Sequence, residues 1–499
     1  MSTFSSEWAP DLYLELRDRH GGRSVQASVQ AAIKHAIGSG RLAGGAKLPP
    51  SRVLAEELKC ARAAVVGAYA QLAAEGYVET RQGSGTRVAP SATPPEGTHS
   101  LELADPLPKI SFSAGVSDLS SFPRAEWQRA VGYVMGTVSP AELYYTAPVG
   151  TPRFRIVLAQ RLARVRGVVA DPRRVHACGG TVQAVSLLAK VFASRGVRTV
   201  AVEDPSWPRL RPPLEGAGLN IRPIRVDSHG LVVTELARHP DVGAVFVSPA
   251  HQFPTGVLMS ESRRAELIDW ARSSHGFIVE DDYDAEFNLG RVHIGALQSH
   301  DPQHVVYLGT SSKILSPALR LGWIVAPAAI ESTLAAQRPG FDLGVSVLEQ
   351  LALAHLMSTG KLDRHLRRTR QTYDRRRRLL IGALSAALPQ ITITGAPTGL
   401  HLIATLPAGV DENDVVAEAS RRSVGVFGLG YYQIRRNQRR PGALVLGYAN
   451  LKDGAIATGV ELLAECIHTV RRRSVAHDRR QSGCRTSPES THRSSGAAM

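Results

Sequence analysis

A lysine flanked by hydroxyl groups and followed by an arginine is the first feature of the sequence that could do chemistry. In the segment TSSKILSPALR, Thr310 and Ser312 stand just before Lys313, and Arg320 comes seven residues after it. A neutral lysine amine can add to an aldehyde and form a Schiff base, while the hydroxyls and the guanidinium can hold a phosphate dianion. On its own, a Ser-Ser-Lys segment is a weak signal.

Acidic residues and a tyrosine stand at the end of an apolar run that lies upstream of this lysine. The segment FIVEDDYDAEF places Asp281 and Tyr283 at the carboxyl end of a predicted strand, where α/β sheets bind their ligands. Asp281 could pair with a pyridinium nitrogen and keep it protonated, and Tyr283 could hydrogen-bond a phenolic oxygen. An acidic strand end could equally bind a metal. No histidine or cysteine stands at ligand spacing, however, and we predict no metal site.

Two segments farther upstream could complete such a site. HACGGTVQAVSLLAK predicts a strand, a Gly-Gly turn and an opening helix, so the backbone N–H groups near Gly180 and Thr181 could cradle a phosphate. The alternative for the turn is a simple chain reversal. EDPSWPRL supplies Trp207, which could stack on a pyridine ring or could be an ordinary core tryptophan. A Schiff-base lysine, an acid, a stacking ring and phosphate ligands are together what pyridoxal 5'-phosphate requires.

The segments that carry these residues alternate between short apolar runs and longer amphipathic stretches. The runs TVAVE, GAVFVS, FIVE, VVYLG and GWIVA predict buried strands, and SRRAELIDWARSS predicts a helix among them. Alternation of this kind from about residue 110 to residue 470 favours an α/β fold with a mainly parallel sheet.

A smaller, mostly helical pattern precedes this region. Residues 25–40 predict an amphipathic helix closed by Gly40, and Ser51 stands where the N-cap of a second, short helix is expected. A third helix is predicted over 61–77. Two short helices joined by a tight turn form a helix-turn-helix, whose second helix enters the major groove of DNA. Residues 78–88 predict a hairpin that would serve as a wing.

Size and composition limit the class of protein. At 499 residues, with 43% apolar and 21% charged residues, the chain is long enough for two or three globular cores. No run approaches the roughly 18 apolar residues of a membrane helix, and the first residues lack the pattern of an export signal. The four cysteines stand without paired spacing, which fits a reducing compartment. We therefore predict a cytoplasmic protein without a membrane partner.

The net charge of +15 is compatible with nucleic-acid binding, but it is spread unevenly. Residues 471–499 hold seven arginines against two acids and contribute +5. This segment has almost no apolar residues with which to form a core, so we predict a disordered basic tail. Residues 90–110 are rich in Pro, Ser and Thr and predict a linker. The linker separates an N-terminal domain at 12–89 from a large domain at 111–470.

The N-terminal domain resembles a known DNA-binding family. The segment LPPSRVLAEELKCARAAVVGAYAQLAAEGYVETRQGSGTRV is similar to the GntR-type winged helix almost from end to end. The resemblance implies contacts to double-stranded DNA from a set of basic residues and wing glycines. These are Arg52, Arg62, Arg81, Gly83 and Gly85, with Lys47 as a weaker member. Where the family often has Ser-Arg-x-Thr, this chain has Ala-Arg-Ala-Ala, which removes two hydroxyl contacts.

The large domain resembles the fold-type I aminotransferases over about 360 residues, and specifically the MocR/GabR branch of GntR regulators. The motifs SPAHQFPTG, VEDDYDAEF, GTSSK and LRLGW carry this resemblance, together with the segment YYTAPVGTPRFRIVLAQRLARVRGV. The resemblance implies pyridoxal 5'-phosphate as cofactor, Lys313 as its Schiff-base lysine and a homodimer. It also places the ring-nitrogen acid two positions before Tyr283. Because side chains alternate along a strand, Asp281 and not Asp282 should face the cofactor.

Two positions depart from the aminotransferase pattern. Phe253 stands where an asparagine usually bonds the phenolic oxygen of the cofactor, so His251 or Gln252 would have to replace it. Val445, in ALVLGYANL, stands where an arginine usually clamps the α-carboxylate of the substrate. Valine cannot replace a bidentate guanidinium–carboxylate pair. Arginines of the nearby YYQIRRNQRRPG loop could reach in from one side.

These observations predict a DNA-binding transcription regulator that senses pyridoxal 5'-phosphate or an amine effector. A dimer would present two winged helices to repeated half-sites of a promoter. A working aminotransferase with an auxiliary DNA-binding domain is the alternative, so enzymatic activity stays open. A third possibility is a DNA-binding protein whose large domain is only a dimerisation scaffold. The winged helix and Val445 argue against the second hypothesis, and the complete set of cofactor residues argues against the third.

Overall fold

The computed structural model describes residues 24–81, 85–90, 108–289, 294–435 and 440–483. The chain divides into two compact units, Met1–Pro106 and Leu107–Met499. In the described parts of the chain, no helix combines the length and apolar character that a membrane span requires.

The small unit contains three helices and a two-stranded hairpin. The helices are α1 (Val25–Gly38), α2 (Ser51–Glu57) and α3 (Arg62–Ala74), and the antiparallel strands are β1 (Val78–Arg81) and β2 (Gly85–Val88). Apolar residues of α1 recur three and four positions apart, which places them on one face of the helix. That face is buried against α2, α3 and the hairpin, with Ile33, Ile37, Leu54 and Leu72 at the centre of the core.

Two helix ends in this unit differ from the prediction. Pro50, not Ser51, is the N-cap of α2, and no side chain caps that end. The Tyr69 hydroxyl donates to the Pro49 carbonyl at 2.9 Å, which fixes the entry of the chain into the helix. Helix α3 ends at Ala74, because Gly76 adopts a left-handed conformation with φ of 78° and turns the chain toward β1.

The large unit is built on an eight-stranded sheet. Its strands, and those of two smaller sheets, are β3 (Ile110–Ser111), β4 (Val175–Cys178), β5 (Thr199–Asp204), β6 (Asn220–Asp227), β7 (Gly230–Leu231), β8 (Val242–Val247), β9 (Phe277–Asp281), β10 (Val305–Thr310), β11 (Gly322–Val325), β12 (Thr392–Thr394), β13 (His401–Thr405), β14 (Val424–Gly425), β15 (Phe427–Gly428) and β16 (Ala443–Gly447). The order in the large sheet is β4-β11-β10-β9-β8-β5-β6-β7. Strands β6, β5, β8, β9 and β10 run parallel, while β11 and β7 are antiparallel to their neighbours. The predicted mainly parallel α/β sheet is therefore confirmed.

Helices cover both faces of this sheet. The described helices of the large unit are α4 (Arg124–Thr137), α5 (Pro140–Leu143), α6 (Pro152–Arg166), α7 (Thr181–Ser194), α8 (Arg211–Gly216), α9 (Val233–Leu236), α10 (Glu261–Ser274), α11 (Ser311–Ile314), α12 (Ala328–Gln337), α13 (Val347–Ser358), α14 (Lys361–Ala387), α15 (Glu412–Arg421) and α16 (Asp453–Gly483). Alternate residues of one strand enter opposite cores, since side chains alternate along a strand. In β5, for example, Val200 and Val202 pack on one face, while Ala201 packs on the other.

The four-stranded sheet β12-β13-β16-β15 and the two-stranded sheet β14-β3 complete the large unit. Helix α16 packs its apolar stripe, from Ile456 to Val470, into the hydrophobic core of the large unit. This helix continues to Gly483. The predicted disorder of residues 471–499 does not hold for 471–483, where the chain continues helix α16. Residues 484–499 lie outside the described part of the chain.

Candidate functional site

A cavity of about 300 Å³ opens where the parallel strands end, because the carboxyl ends of these strands meet at one edge of the sheet. Nine of the ten residues predicted to bind the cofactor line it. They are Gly180, Thr181, Trp207, Asp281, Tyr283, Thr310, Ser312, Lys313 and Arg320. His251 is not among the lining residues. Residues from four separate segments of the sequence thus meet in one space.

One end of the cavity is suited to an anion. Gly180 adopts φ of 100° and precedes helix α7, whose first turn has no side-chain cap. A Cβ atom on Gly180 would lie 3.7 Å from the Arg320 guanidinium, so this cation stands directly against the bare backbone. Arg320 itself holds a left-handed conformation with φ of 47°, a strained state that often marks a binding site. Uncapped N–H groups, the helix dipole and a guanidinium together form a phosphate-binding arrangement.

Lys313 is held on a short helical turn directly after β10. The Thr310 hydroxyl accepts from the Ser312 backbone N–H at 3.1 Å and lies 2.9 Å from the Ser312 hydroxyl, which fixes the turn. Burial lowers the pKa of Lys313, and the carboxylates of Asp284 and Asp281 offset part of that effect. A lower pKa increases the neutral fraction of the amine, which is the nucleophilic form.

The adjacent acids at the end of β9 have different surroundings. Asp281 lines the cavity, and its buried Oδ1 has no hydrogen-bond partner within the described ranges. Burial, and then the charge of Asp282, raise the pKa of Asp281 to about 7, and Lys313 opposes this shift. Asp282 is instead bonded to Arg166 Nε at 2.7 Å and to the Tyr307 hydroxyl at 2.7 Å. An unpaired carboxyl oxygen in the cavity wall fits a protonated ring nitrogen.

We expect Asp281→Asn to weaken the binding of pyridoxal 5'-phosphate by about 10- to 100-fold, since a hydrogen bond to a charged group contributes about 1.5–3 kcal/mol. Titration of the visible absorbance measures this affinity. Asp282→Asn is the matched control: it should lower the temperature of unfolding, because it removes the negative charge that pairs with the buried Arg166, and should leave the affinity nearly unchanged. The reverse ranking of the two affinities would overturn the orientation assigned to these acids.

Neither proposed replacement for the missing asparagine contacts the cavity directly. The Gln252 amide donates to Glu203 Oε2 at 3.2 Å and to the Pro205 carbonyl at 2.8 Å, while its oxygen accepts from the Thr255 backbone N–H at 3.0 Å. Gln252 therefore has no free group to offer. His251 lies behind Tyr283, with Nδ1 3.0 Å from the tyrosine hydroxyl, so it can reach a bound ligand only through that hydroxyl.

Glu203 and Arg209 are lining residues that the sequence interpretation missed. Glu203 is buried near the end of β5, and its Oε1 has no hydrogen-bond partner in the part of the chain that the structure covers. Burial raises the pKa of Glu203 to about 8. A charged residue that interrupts the apolar strand TVAVED was the available signal for Glu203. Arg209 is exposed and follows Trp207 by two residues, and nothing in the sequence distinguishes it from a surface arginine.

An apolar cluster occupies the place of the expected carboxylate clamp. Val445 is fully buried with Ile403 and Tyr432, and Phe253, which lines the cavity, packs against the same cluster. The loop arginines do not replace the clamp where they are described. Arg435 and Arg440 are exposed and are not lining residues, while Arg436 and Arg439 lie outside the described residues.

The predicted DNA contacts of the small unit lie on helices α2 and α3, on the hairpin and on the segment before α2. Arg52 is exposed on α2, where its Nε lies 3.2 Å from Glu56 Oε1, and Arg62 is the exposed first residue of α3. Gly85 begins β2 with φ of 83°, and the Lys47 side chain lies 3.4 Å from the position of a Cβ atom there. Arg81 ends β1. Its side chain and Gly83 lie outside the described residues.

Comparison with known families accounts for both units. Residues 25–88 match the model of the bacterial regulatory proteins of the gntR family. Residues 125–434 match the model of aminotransferase class I and II. The second match alone covers more than half of the chain.

Several regulators are similar over nearly their whole length. The chain is 30% identical to the uncharacterized HTH-type transcriptional regulator YdeL of Bacillus subtilis, over 86% of this chain and 94% of that protein. It is 30% identical to the pyridoxine biosynthesis transcriptional regulator PdxR of Corynebacterium glutamicum, over 83% and 90%. It is also 30% identical to the probable rhizopine catabolism regulatory protein MocR of Rhizobium meliloti, over 89% and 94%.

Solved aminotransferase structures resemble the fold. An archaeal alanine:glyoxylate aminotransferase superposes with a TM-score of 0.67 at 25% identity, covering 72% of this chain and 91% of that one. The α-aminoadipate aminotransferase LysN of Thermus thermophilus superposes with a TM-score of 0.66 at 24% identity, covering 73% and 93%. These similarities establish the fold and not the reaction.

Proposed function

The chain belongs to the MocR type of GntR-family regulators, in which a helix-turn-helix domain precedes an aminotransferase class I and II domain, and from this we propose that it is a DNA-binding transcription regulator that binds pyridoxal 5'-phosphate. One observation carries the proposal. Lys313, the unpaired carboxyl of Asp281 and the anion-binding end at Arg320 line a single cavity. The same chain carries a DNA-binding unit.

The residues around the cavity fit this cofactor. Arg320 and the backbone at Gly180 and Thr181 would hold the phosphate, Asp281 the ring nitrogen and Trp207 the ring face. When bound, pyridoxal 5'-phosphate supplies an aldehyde that reacts with primary amines and a ring that accepts electrons. Lys313 supplies the amine that would bond the cofactor, and its burial keeps more of that amine neutral.

The apolar cluster at Val445 supports a sensor over an enzyme. An α-amino acid in this cavity would meet Phe253, which packs against the buried Val445 and Ile403, where its carboxylate needs a cation. We therefore propose that the effector is pyridoxal 5'-phosphate itself or an amine without an α-carboxylate. A working aminotransferase is the second candidate function. The complete set of lining residues around Lys313 favours it.

A second copy of the chain is the partner that we propose for the large unit. Tyr144 and Tyr145 expose 73% and 77% of their surface, and Met135 and Leu143 expose more than half of theirs. Exposed apolar side chains on neighbouring segments mark a protein interface. A homodimer would carry two small units, which fits a promoter with repeated half-sites.

Absorbance spectra and DNA mobility shifts test the proposed function together. Purified protein should show a visible band after addition of pyridoxal 5'-phosphate, and its affinity for its own promoter should change with cofactor or amine. Coupling between the two sites typically amounts to about 1–3 kcal/mol, or 5- to 150-fold in affinity. If the protein binds DNA but never binds the cofactor, the proposal is wrong and the large unit would serve only as a dimerisation scaffold.

We expect Arg62→Ala to weaken promoter binding by about 10- to 100-fold, since loss of one base contact costs about 1–3 kcal/mol. Binding of the unaltered protein should fall steeply with salt, because phosphate contacts release counterions. Mobility shifts at several salt concentrations measure both effects. Arg129→Ala removes the same charge from an exposed position of the large unit and should bind as the unaltered protein does. An unchanged affinity for Arg62→Ala would exclude this docking.

A further inference from the structure

A buried polar cluster lies directly behind Tyr283, outside the cavity lining. It contains His251, Asp284 and His401, each at most 1% exposed. The packing is tight: a Cβ atom on Gly399 would lie 2.6 Å from Asp284 Oδ2 and closer still to the His251 ring. Only His251 of this cluster was predicted from the sequence to contact the cofactor, and none of the three residues lines the cavity.

Hydrogen bonds join the cluster to the tyrosine. His251 Nδ1 lies 2.9 Å from Asp284 Oδ2 and 3.0 Å from the Tyr283 hydroxyl. Because Nδ1 faces a carboxylate, we assign the imidazole proton to Nδ1. The Tyr283 hydroxyl donates in turn to the His251 backbone carbonyl at 3.1 Å. The tyrosine is therefore fixed from the protein side by two atoms of His251, and His251 is fixed by Asp284.

We propose that Asp284 and His251 are positioning residues that hold the Tyr283 hydroxyl and thereby set how strongly it donates to an oxygen of the ligand in the cavity. This inference rests on the proposed binding of pyridoxal 5'-phosphate. Neither residue touches the ligand; both act through Tyr283, which lines the cavity.

The physical argument depends on competition for one proton. Burial, and then the charge of Asp284, raise the pKa of Tyr283 well above 10, so the hydroxyl keeps its proton at neutral pH. The hydroxyl can donate that proton either to the His251 carbonyl or to an oxygen of a ligand. The negative charge of Asp284 strengthens the first hydrogen bond and weakens donation to the ligand. Removal of this charge should therefore make Tyr283 a stronger donor to the ligand.

Other charged groups act on the same hydroxyl. Asp281 and Glu203 also raise the pKa of Tyr283. Lys313 lines the cavity beside it. His401 stays neutral, because burial lowers its pKa well below 6.5, and its Nε2 lies 2.9 Å from the Pro254 carbonyl. Asp284 differs from the other acids because it is bonded to His251, the side chain that holds the tyrosine.

A divalent cation is the other occupant that this cluster could take. His251, Asp284 and His401 each offer a ligand atom, and these atoms lie within 4.8 Å of one another. A cation bound through His251 Nδ1 would have to displace the proton that lies between this atom and Asp284. We favour the positioning role because the observed hydrogen bonds satisfy the Asp284 carboxylate without a metal.

The test is a pH titration of the visible band of full-length protein loaded with pyridoxal 5'-phosphate. A hydrogen bond from the Tyr283 hydroxyl would stabilise the deprotonated form of the bound cofactor. Tyr283→Phe should therefore raise the midpoint pH of the titration. Asp284→Asn should lower it by about one pH unit, which is the scale of shift that a nearby charge produces. In the double variant, the Asp284→Asn change should lower the midpoint by less than it does alone, because the tyrosine that transmits part of the effect is gone and only the direct effect of the Asp284 charge on Lys313 remains.

Matched measurements separate this role from structural damage. His401→Gln alters the same buried packing without touching Tyr283, and its midpoint should equal that of the unaltered protein. Thermal unfolding shows whether each variant is folded. If Asp284→Asn does not fold, Asp284→Ser, which removes the same charge, replaces it and should lower the midpoint in the same way.

Each remaining outcome overturns the proposal. A midpoint that Asp284→Asn leaves unchanged, or lowers equally when Tyr283 is phenylalanine, would exclude action through the tyrosine. A midpoint that moves on addition of a chelator or of Zn²⁺ alone would replace the positioning role with a metal site. A protein without any visible band would instead contradict the proposed function, so the two failures are distinguishable.

Discussion

Replacement of Lys313 by alanine is expected to abolish the visible absorbance band of protein loaded with pyridoxal 5'-phosphate. The side chain stands on the turn after β10 and lines the cavity with Asp281 and Tyr283. Burial lowers its pKa, so the reactive neutral amine is more populated than on a surface lysine. Among the described residues, no second lysine lines the cavity to bond the aldehyde in its place. Phosphate contacts at Arg320 should still allow weak, noncovalent binding.

Spectroscopy after borohydride reduction measures this loss. The unaltered protein should carry the reduced cofactor on the peptide that contains Lys313, and Lys313→Ala should carry none. Lys313→Arg keeps the positive charge but cannot form the bond, so it should also lack the band. Lys190→Ala removes an exposed lysine of α7 and should leave the band intact. A reducible band of unchanged intensity in Lys313→Ala would show that another residue holds the cofactor.

Common α-amino acids are expected to be converted at rates about 100-fold or more below those of dedicated aminotransferases. Transamination requires the Cα–H bond to stand perpendicular to the cofactor ring, and a carboxylate clamp provides much of that alignment. Val445 is fully buried in an apolar cluster at the clamp position. Misalignment alone can cost on the order of 100-fold in rate. The absence of an arginine–carboxylate contact should also weaken the binding of α-amino acids.

Stopped-flow spectra with matched pairs of amines test this expectation. Alanine and ethylamine differ by the α-carboxylate, so the rate with alanine divided by the rate with ethylamine measures the effect of the missing clamp. We expect this ratio to be near one or below one, whereas a site with an arginine clamp would strongly prefer alanine. Rapid conversion by any α-amino acid, at the rate of a dedicated aminotransferase, would make the chain a working enzyme with an attached DNA-binding unit.

The sequence predicted the parts of the site that follow from strand geometry. Buried apolar runs marked the strands, and parallel strands bring their carboxyl ends to one edge, so Asp281 and Lys313 could be placed together before any coordinates. Alternation along β9 indicated that only one of Asp281 and Asp282 faces the cavity, and the resemblance to the aminotransferases implied that it is Asp281. The placement at the sheet edge depends only on local patterns and on the topology of the sheet.

Contacts between distant loops could not be predicted in this way. Gln252 was a proposed ligand contact, but its amide is engaged by Glu203, Pro205 and Thr255, which only the fold brings together. His401 follows His251 by 150 residues, so spacing gave no sign that their rings lie 4.8 Å apart. The Glu203 carboxyl, too, became a lining group only through the packing of β5 against β8.

The unpaired carboxyl groups of the cavity link cofactor supply to the lifetime of the chain. Burial raises the pKa of Glu203 to about 8 and that of Asp281 to about 7. Above about pH 4, these two carboxyl groups lose their protons in the unfolded chain but keep them in the folded, cofactor-free chain. The free energy of unfolding therefore falls with rising pH until the pH exceeds the two raised pKa values. Cofactor-free protein should therefore melt at a lower temperature at pH 8 than at pH 6. Bound cofactor, whose protonated ring nitrogen would lie beside Asp281, should raise the melting temperature most at pH 8. Equal melting temperatures at the two pH values would contradict this. Because proteases remove unfolded chains, a cell short of cofactor would hold fewer copies of the protein.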